Sequence, residues 1–243
     1  MARGKPEMTV IEHLNELRQR LFVVLISVVL ASLVCLVYAA KLLDLVSMGL
    51  SLIYIRPSEA FMAHVRIAVT TGLTACTPII FYNIAAYLMP AFTRREKRML
   101  ILGVVLMLVL FFSGIYFAWA MVFPLAMDFF ARFATDTLTP YYTVGDYVSF
   151  ATSFFLAFGL VFQLPVVFWV LGALGLVTAQ TLRTVRKFAL IVIIIVAAFL
   201  TPPDVVSQML LAMPMLVLYE FGIILVAISE RGRRRRAAAS DDE

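Results

Sequence analysis

Long apolar stretches dominate this chain and alternate with short clusters of charged residues. A helix needs about 20 residues to cross the roughly 30 Å hydrocarbon core of a bilayer, because each residue advances it by about 1.5 Å. Four apolar runs reach that length, and two shorter or interrupted runs follow them. The predicted membrane-spanning helices cover about residues 21–40, 67–89, 100–123, 150–174, 188–200 and 205–228.

The last two predicted helices are unusually short or irregular. At about 1.5 Å per residue, residues 188–200 extend only about 20 Å. They end at Pro202 and Pro203, which cannot continue a helix. The final run is interrupted by Gln208, Pro214 and Glu220. We therefore expect a hairpin of two helices that crosses only where the bilayer is thin.

The composition excludes a soluble globular protein. Of the 243 residues, 63% are hydrophobic and 14% are charged, whereas a soluble domain is about 45–50% apolar and about 25% charged. So few polar residues cannot cover the surface of a soluble domain. We predict a single all-α transmembrane domain of six helices over residues 1–230, followed by a disordered tail over residues 231–243.

The distribution of lysine and arginine predicts the orientation. Of these 20 residues, 16 lie on the side of the two termini, and four lie on the other side in segments 41–66 and 124–149. The positive-inside rule therefore places both termini in the cytoplasm. It also explains the net charge of +5 as a topology signal, so no nucleic-acid partner is predicted. The two outer segments are long, and we expect them to fold over the outer face.

The sequence contains no recognisable catalytic motif. It has no HExxH, GxSxG, P-loop or GxGxxG pattern. Its two cysteines lie inside apolar runs, and its two histidines are too few to complete a metal site. We therefore predict no enzyme activity, no cofactor and no metal. A secondary transporter or channel remains an alternative, although the two halves carry no matching pair of broken helices.

Two carboxylates at the predicted cytoplasmic surface are candidates for binding a cation. Glu16 lies just before the first apolar run, in a predicted helix. A capping box of Thr9 and Glu12 marks the start of that helix. Glu96 lies in a loop with four basic residues. Each carboxylate could accept two hydrogen bonds from a guanidinium group. The pattern also allows simpler roles, in which Glu16 forms ion pairs along a solvated helix face and Glu96 only reduces repulsion in its loop.

Three polar residues lie at or near membrane depth. Gln163 is near the middle of the fourth predicted helix, and Glu220 is in the last one. Such residues usually face a bundle interior, a wet cavity or a partner. For Gln163, a structural hydrogen bond between helices is an equal alternative. Asp204 follows the proline pair and could cap the last helix.

Five motifs together resemble the TatC family, the multispanning receptor of the twin-arginine translocation system. The resemblance covers nearly the whole chain, in the family's order. The motifs are His13-Leu-Asn-Glu-Leu-Arg-Gln-Arg-Leu21, Pro57-Ser-Glu59-Ala-Phe61, Pro90-Ala-Phe92 with Glu96-Lys-Arg98, Phe123-Pro124-Leu125, and Thr201-Pro-Pro-Asp204 with Gln208.

The resemblance implies a cup-shaped bundle of six helices in the inner membrane, with a short final hairpin. It implies export of folded proteins by the proton-motive force, in a multimeric complex with single-span TatA- and TatB-like proteins. Glu16 and Glu96 would recognise the paired arginines of a signal peptide, with Arg18 as a conformational or contact residue beside them. Gln163, Glu220 and Gln208 would face partner helices.

The resemblance also assigns structural roles and shows one departure from the family. The residues of the outer loops and of the last turn are Pro57, Glu59, Phe61, Pro124 and Asp204. Gln163 stands where the family commonly has a glutamate. A role that requires titration is therefore not expected at this position, whereas a hydrogen-bonding role is retained.

Overall fold

The computed structural model describes residues 10–88, 96–135, 139–200 and 204–241. Residues of three motifs (9, 90–92 and 201–203) lie outside these ranges. The described residues are almost entirely helical. The helices are α1 (Val10–Val37), α2 (Ala39–Ser47), α3 (Pro57–Ala75), α4 (Thr77–Leu88), α5 (Glu96–Phe117), α6 (Phe123–Ala131), α7 (Val144–Val161), α8 (Leu164–Ala173), α9 (Ala179–Thr184), α10 (Arg186–Leu200) and α11 (Val205–Asp241). Two short strands complete the fold, β1 (Leu52–Ile53) and β2 (Tyr142–Thr143).

A helix occupies each of the six predicted membrane positions, which agrees with the predicted all-α fold. Within the described ranges, four helical segments are long and apolar enough to cross a bilayer alone. They are Ile11–Val37, Ile101–Ala131, Val144–Ala173 and Val205–Arg231. Helices α3 and α4, bent by 48° at their junction, make a fifth span if they count as one. Helix α10 has only 15 residues, as the predicted short fifth helix requires.

Two helices with a bend between them occupy the predicted span over 67–89. Helix α3 begins ten residues earlier, at Pro57, and it ends before Cys76. Helix α4 then starts at Thr77 in a new direction. Pro78 explains the break, because it has no N–H to continue the hydrogen-bond ladder and its ring crowds the preceding turn.

The second outer loop was predicted to start at Pro124. The helix instead continues through this residue. A π-helical turn over Ala118–Val122 joins α5 to α6, and the Phe123 N–H bonds the carbonyl of Ala118. This extra residue in the turn lets Pro124 occupy the first turn of α6 without losing a needed N–H donor. The connection between α6 and α7 is therefore shorter than the predicted 124–149.

The carboxyl-terminal segment also differs from its prediction. Residues from 231 onward were expected to be disordered, whereas α11 continues to Asp241. Arginine and alanine dominate this segment and are strong helix formers, which accounts for the extension.

The core of the bundle surrounds α7. Its side chains Phe154 and Phe158 are fully buried, together with Phe123 from α6. Phe123 forms close ring contacts with Phe154 and Phe150. Helix α1, in contrast, lies at the periphery, and none of its membrane-spanning stretch is buried.

The two predicted outer segments meet at one end of the bundle, which we call the capped end. Strands β1 and β2 pair in parallel, with Leu52 opposite Tyr142. The Tyr147 hydroxyl of α7 donates to the carbonyl of Val46 at 2.9 Å. The capped end is therefore tied together by residues that are far apart in the sequence.

Glu59 is the main polar link of the capped end. Its Oε1 accepts the N–H of Gly145 at 3.0 Å, and its Oε2 accepts the N–H of Ile55 at 3.0 Å. Gly145 allows this close approach, because a Cβ atom would lie 2.8 Å from Cγ of Glu59 and one of the two would have to move. Pro57 begins the same helix, and the Phe61 side chain is largely exposed.

Candidate functional site

The first candidate residues lie at the opposite end of the bundle, which we call the open end. Helix α1 begins there, α4 ends there and α5 begins there. The ring of His13 stacks on that of Tyr87, with centroids 4.3 Å apart and planes 13° apart. This contact fixes the start of α1 against the end of α4.

Glu16 lies one helical turn after His13, so it shares that side of α1. Its Oε1 accepts hydrogen bonds from both Nε and Nη2 of Arg20, with the Nε contact at 2.9 Å. Its Oε2 is buried and has no hydrogen-bond partner among the described residues. An unsatisfied carboxylate oxygen is costly, so an N–H donor at this atom would be stabilising.

Glu96 is the first residue of α5 and lies at the open end too. Its backbone follows Tyr87 by nine residues, after the connection from α4. Its side chain lies outside the described part of the chain. The fold therefore brings both predicted carboxylate positions to the same end of the bundle.

Arg18 lies on a different side of α1 from Glu16. Residues two positions apart on a helix point in different directions. The guanidinium carbon of Arg18 instead lies 5.7 Å from the centroid of the Phe22 ring, a cation–π arrangement within α1. A conformational role for Arg18 remains a prediction.

Gln163 forms the interhelical hydrogen bond that the sequence left as an alternative. It sits between α7 and α8 and is 7% exposed. Its Nε2 donates to the carbonyl of Met107 in α5 at 3.1 Å and to that of Gly159 at 3.4 Å. Two carbonyl acceptors define the amide orientation, and Oε1 is left buried without a partner among the described residues.

Glu220 has a partner within the chain, which the sequence did not predict. Its Oε2 accepts a hydrogen bond from Arg186 Nη2 at 2.6 Å, and both side chains are about half exposed. Gln208 donates to the carbonyl of Ile194 at 2.9 Å. Both contacts join α10 to α11, so these polar residues first of all hold the final hairpin together.

Asp204 has the capping role that its position after the proline pair suggested. Its Oδ1 accepts the N–H of Ser207 at 2.7 Å in the first turn of α11. Its Oδ2 and the Oγ of Ser207 are buried without partners among the described residues. Asp204 is therefore a helix-capping residue in this structure.

Two residues that form contacts could not be found from the sequence, because their partners are far away along the chain. Gly145 binds Glu59 across 86 positions, and Glu230 accepts the N–H of Ala179 at 2.9 Å across 51 positions. The turn of Thr143 and Asp146 around Gly145 was a visible signal, since Thr143 caps α7 by accepting the Asp146 N–H. Among the described residues, no group of three or more His, Cys, Asp or Glu side chains could hold a metal ion.

Comparison with known proteins gives a consistent result. A family model described as Sec-independent protein translocase protein (TatC) matches residues 12–214. The TatC protein of Carboxydothermus hydrogenoformans is 37% identical over 224 residues, covering 90% of this chain and 92% of that protein. The protein of the same name from Helicobacter pylori J99 is 34% identical over 215 residues, covering 88% and 86%. A crystal structure of the twin-arginine translocase receptor TatC superposes with a TM-score of 0.82 at 31% identity, covering 90% of this chain and all of that one.

Proposed function

Because the chain belongs to the TatC family of Sec-independent protein translocase proteins, we propose that it is a receptor for twin-arginine signal peptides within a translocase for folded proteins. The observation that carries this proposal is the unpaired, buried Oε2 atom of Glu16 at the open end. A secondary transporter or channel is not favoured, because the relatives and the matching solved structure are translocase proteins.

The geometry of Glu16 suits an arginine ligand. Arg20 bonds only Oε1, which leaves Oε2 without a bond. Because Oε2 is buried, the groups that cover it must move before an incoming guanidinium can bond it. Arginine presents N–H groups in a planar fork, whereas lysine is a point charge with a larger hydration shell. We propose that Glu96 binds the second arginine of the pair, since α5 begins at the same end.

The chain is a multi-pass membrane protein, and its orientation is part of the proposal. We place it in the inner membrane with the open end in the cytoplasm, where the positive-inside rule puts both termini. Signal peptides emerging in the cytoplasm would then meet Glu16 directly.

We propose TatA- and TatB-like single-span proteins as partners in a multimeric complex driven by the proton-motive force. Helix α1 offers them an exposed apolar surface, including Leu25, Val29 and Leu33, each at least half exposed. Such a surface can pack against lipid or another apolar helix. The unpaired Oε1 of Gln163 is buried, so a partner could bond it only after the helices around it move apart, and no carboxylate is required for that role.

Site-specific photo-crosslinking tests the location of the site. A photoreactive residue at Ile11, which is 71% exposed at the open end, should crosslink to a peptide with an Arg-Arg pair. The matched control is Tyr54, which is 65% exposed at the capped end and should not crosslink. A peptide with Lys-Lys in place of Arg-Arg should crosslink less at Ile11. Equal crosslinking at both positions would contradict the proposal.

A further inference from the structure

A groove of about 460 Å³ runs along the outer half of α3, away from the open end. Its walls include Met62, Val65, Arg66, Val69 and Thr70, and Glu59 and Gly145 line it at the capped end. The volume falls within the range of about 300–1,000 Å³ that is typical of small-molecule sites. The groove therefore has the size of a ligand site, and most of its lining is apolar.

Arg66 is the unexplained charge in this groove. It is exposed, and among the described residues no carboxylate forms an ion pair with it. The nearby carboxylate of Glu59 already accepts N–H groups of Ile55 and Gly145 on its two oxygens. A cation at the edge of a membrane is costly unless an anion or water solvates it.

The position of Arg66 along the span matches the level of lipid headgroups. From Leu88 at the open end back to Arg66 are 22 residues along α4 and α3, or about 33 Å along the helix path. The 48° bend makes the direct distance somewhat shorter, which is close to the roughly 30 Å of a hydrocarbon core. Arg66 therefore lies near the boundary between hydrocarbon and headgroups on the capped side. A helical side chain leans towards the amino-terminal end of its helix, so its guanidinium extends further towards the headgroups.

The apolar residues around Arg66 suit an acyl chain. Val69 lies one turn from Arg66 towards the open end, on the same side of α3, and is 47% exposed. Met62 lies one turn from Arg66 towards the capped end and is 59% exposed. We infer that this groove binds one glycerophospholipid of the leaflet on the capped side. Arg66 holds its phosphate, and an acyl chain lies against Val69. This site is independent of the proposed peptide site at the open end.

Native mass spectrometry of the purified chain can measure this binding. The probes are dioleoylphosphatidylglycerol and dioleoylglycerol, which share acyl chains but differ in the phosphate. The wild-type chain should retain one phosphatidylglycerol and should bind dioleoylglycerol much more weakly. Arg66→Gln should weaken binding of phosphatidylglycerol about ten-fold, as expected for loss of one charge-assisted contact near water. Arg66→Lys should retain part of the binding.

Two further variants make the test specific. Arg132→Gln is the matched control, because Arg132 is another exposed arginine on the capped side and does not line the groove. It should leave binding unchanged. Val69→Trp fills the groove while keeping Arg66, and it should lower binding of both lipids.

Several results would overturn the inference. They are unchanged binding in Arg66→Gln, an equal loss in Arg132→Gln, or equal retention of the two lipids by the wild-type chain. If Arg66→Gln releases a single-span partner protein without changing lipid retention, the groove is a protein interface instead.

Discussion

Replacement of Glu16 by alanine is expected to weaken binding of an Arg-Arg signal peptide by about 10–30-fold. A hydrogen bond to a charged group contributes about 1.5–3 kcal/mol, and each 1.4 kcal/mol corresponds to about ten-fold in affinity. The Glu16 side chain is 21% exposed, so solvent screening places the loss at the lower end, about 1.5–2 kcal/mol.

The same substitution should hardly affect folding. It removes the pair of Glu16 with Arg20, and helical pairs four residues apart contribute only about 0.3–0.5 kcal/mol. It also frees the Arg20 guanidinium, which then repels the incoming arginine and adds to the loss of affinity. The effect should therefore appear in peptide binding and not in protein yield or thermal stability.

The assay is a fluorescence anisotropy titration of a labelled peptide against the purified chain in lipid nanodiscs. Glu12→Ala is the control, since Glu12 lies one turn earlier and should have a much smaller effect. Raising the salt concentration should weaken wild-type binding, because the site is partly exposed. The reasoning is refuted if Glu16→Ala changes the dissociation constant by less than about two-fold, or if Glu12→Ala is equally damaging.

Three further outcomes follow from the described contacts. A reporter fused after Phe133 should be external and one at the carboxyl terminus cytoplasmic, as protease protection can show; the reverse result would contradict the proposed orientation. Gln163→Leu should lower the unfolding free energy by about 1 kcal/mol, because the Met107 carbonyl loses its interhelical donor; unchanged thermal stability would show that the bond contributes little. Gly145→Ala should destabilise the capped end by about 1–3 kcal/mol through its clash with Glu59, and Gly145→Ala combined with Glu59→Ala should recover part of that loss; strictly additive losses would exclude the clash.

The positions of the membrane helices were predictable because they depend on local composition. An apolar run long enough to cross a bilayer forms a helix wherever it occurs, since lipid satisfies no backbone group. The breaks within those helices were harder to predict. Pro78 bends its span, whereas a π-helical turn absorbs Pro124 within a continuous helix. The same residue type gives opposite results because the neighbouring turns differ.

The candidate site was predictable only in part. Motif resemblance identified Glu16, yet the unpaired state of its Oε2 depends on how Arg20 folds back onto Oε1. The partner of Glu220 was not predictable, because Arg186 lies 34 positions away on another helix. Sequence periodicity reports which face of a helix a residue occupies, but it does not report what packs against that face.

The capped end has a consequence for the order of events during synthesis. Glu59 cannot receive its bond from Gly145 until 86 further residues have been made. At roughly 5–20 residues per second, that delay is about 4–17 s. During this interval Oε1 of Glu59 lacks the donor that it has in the folded protein. The capped end is therefore completed only after the first turn of α7 has been made, and any nascent chain halted earlier lacks this link.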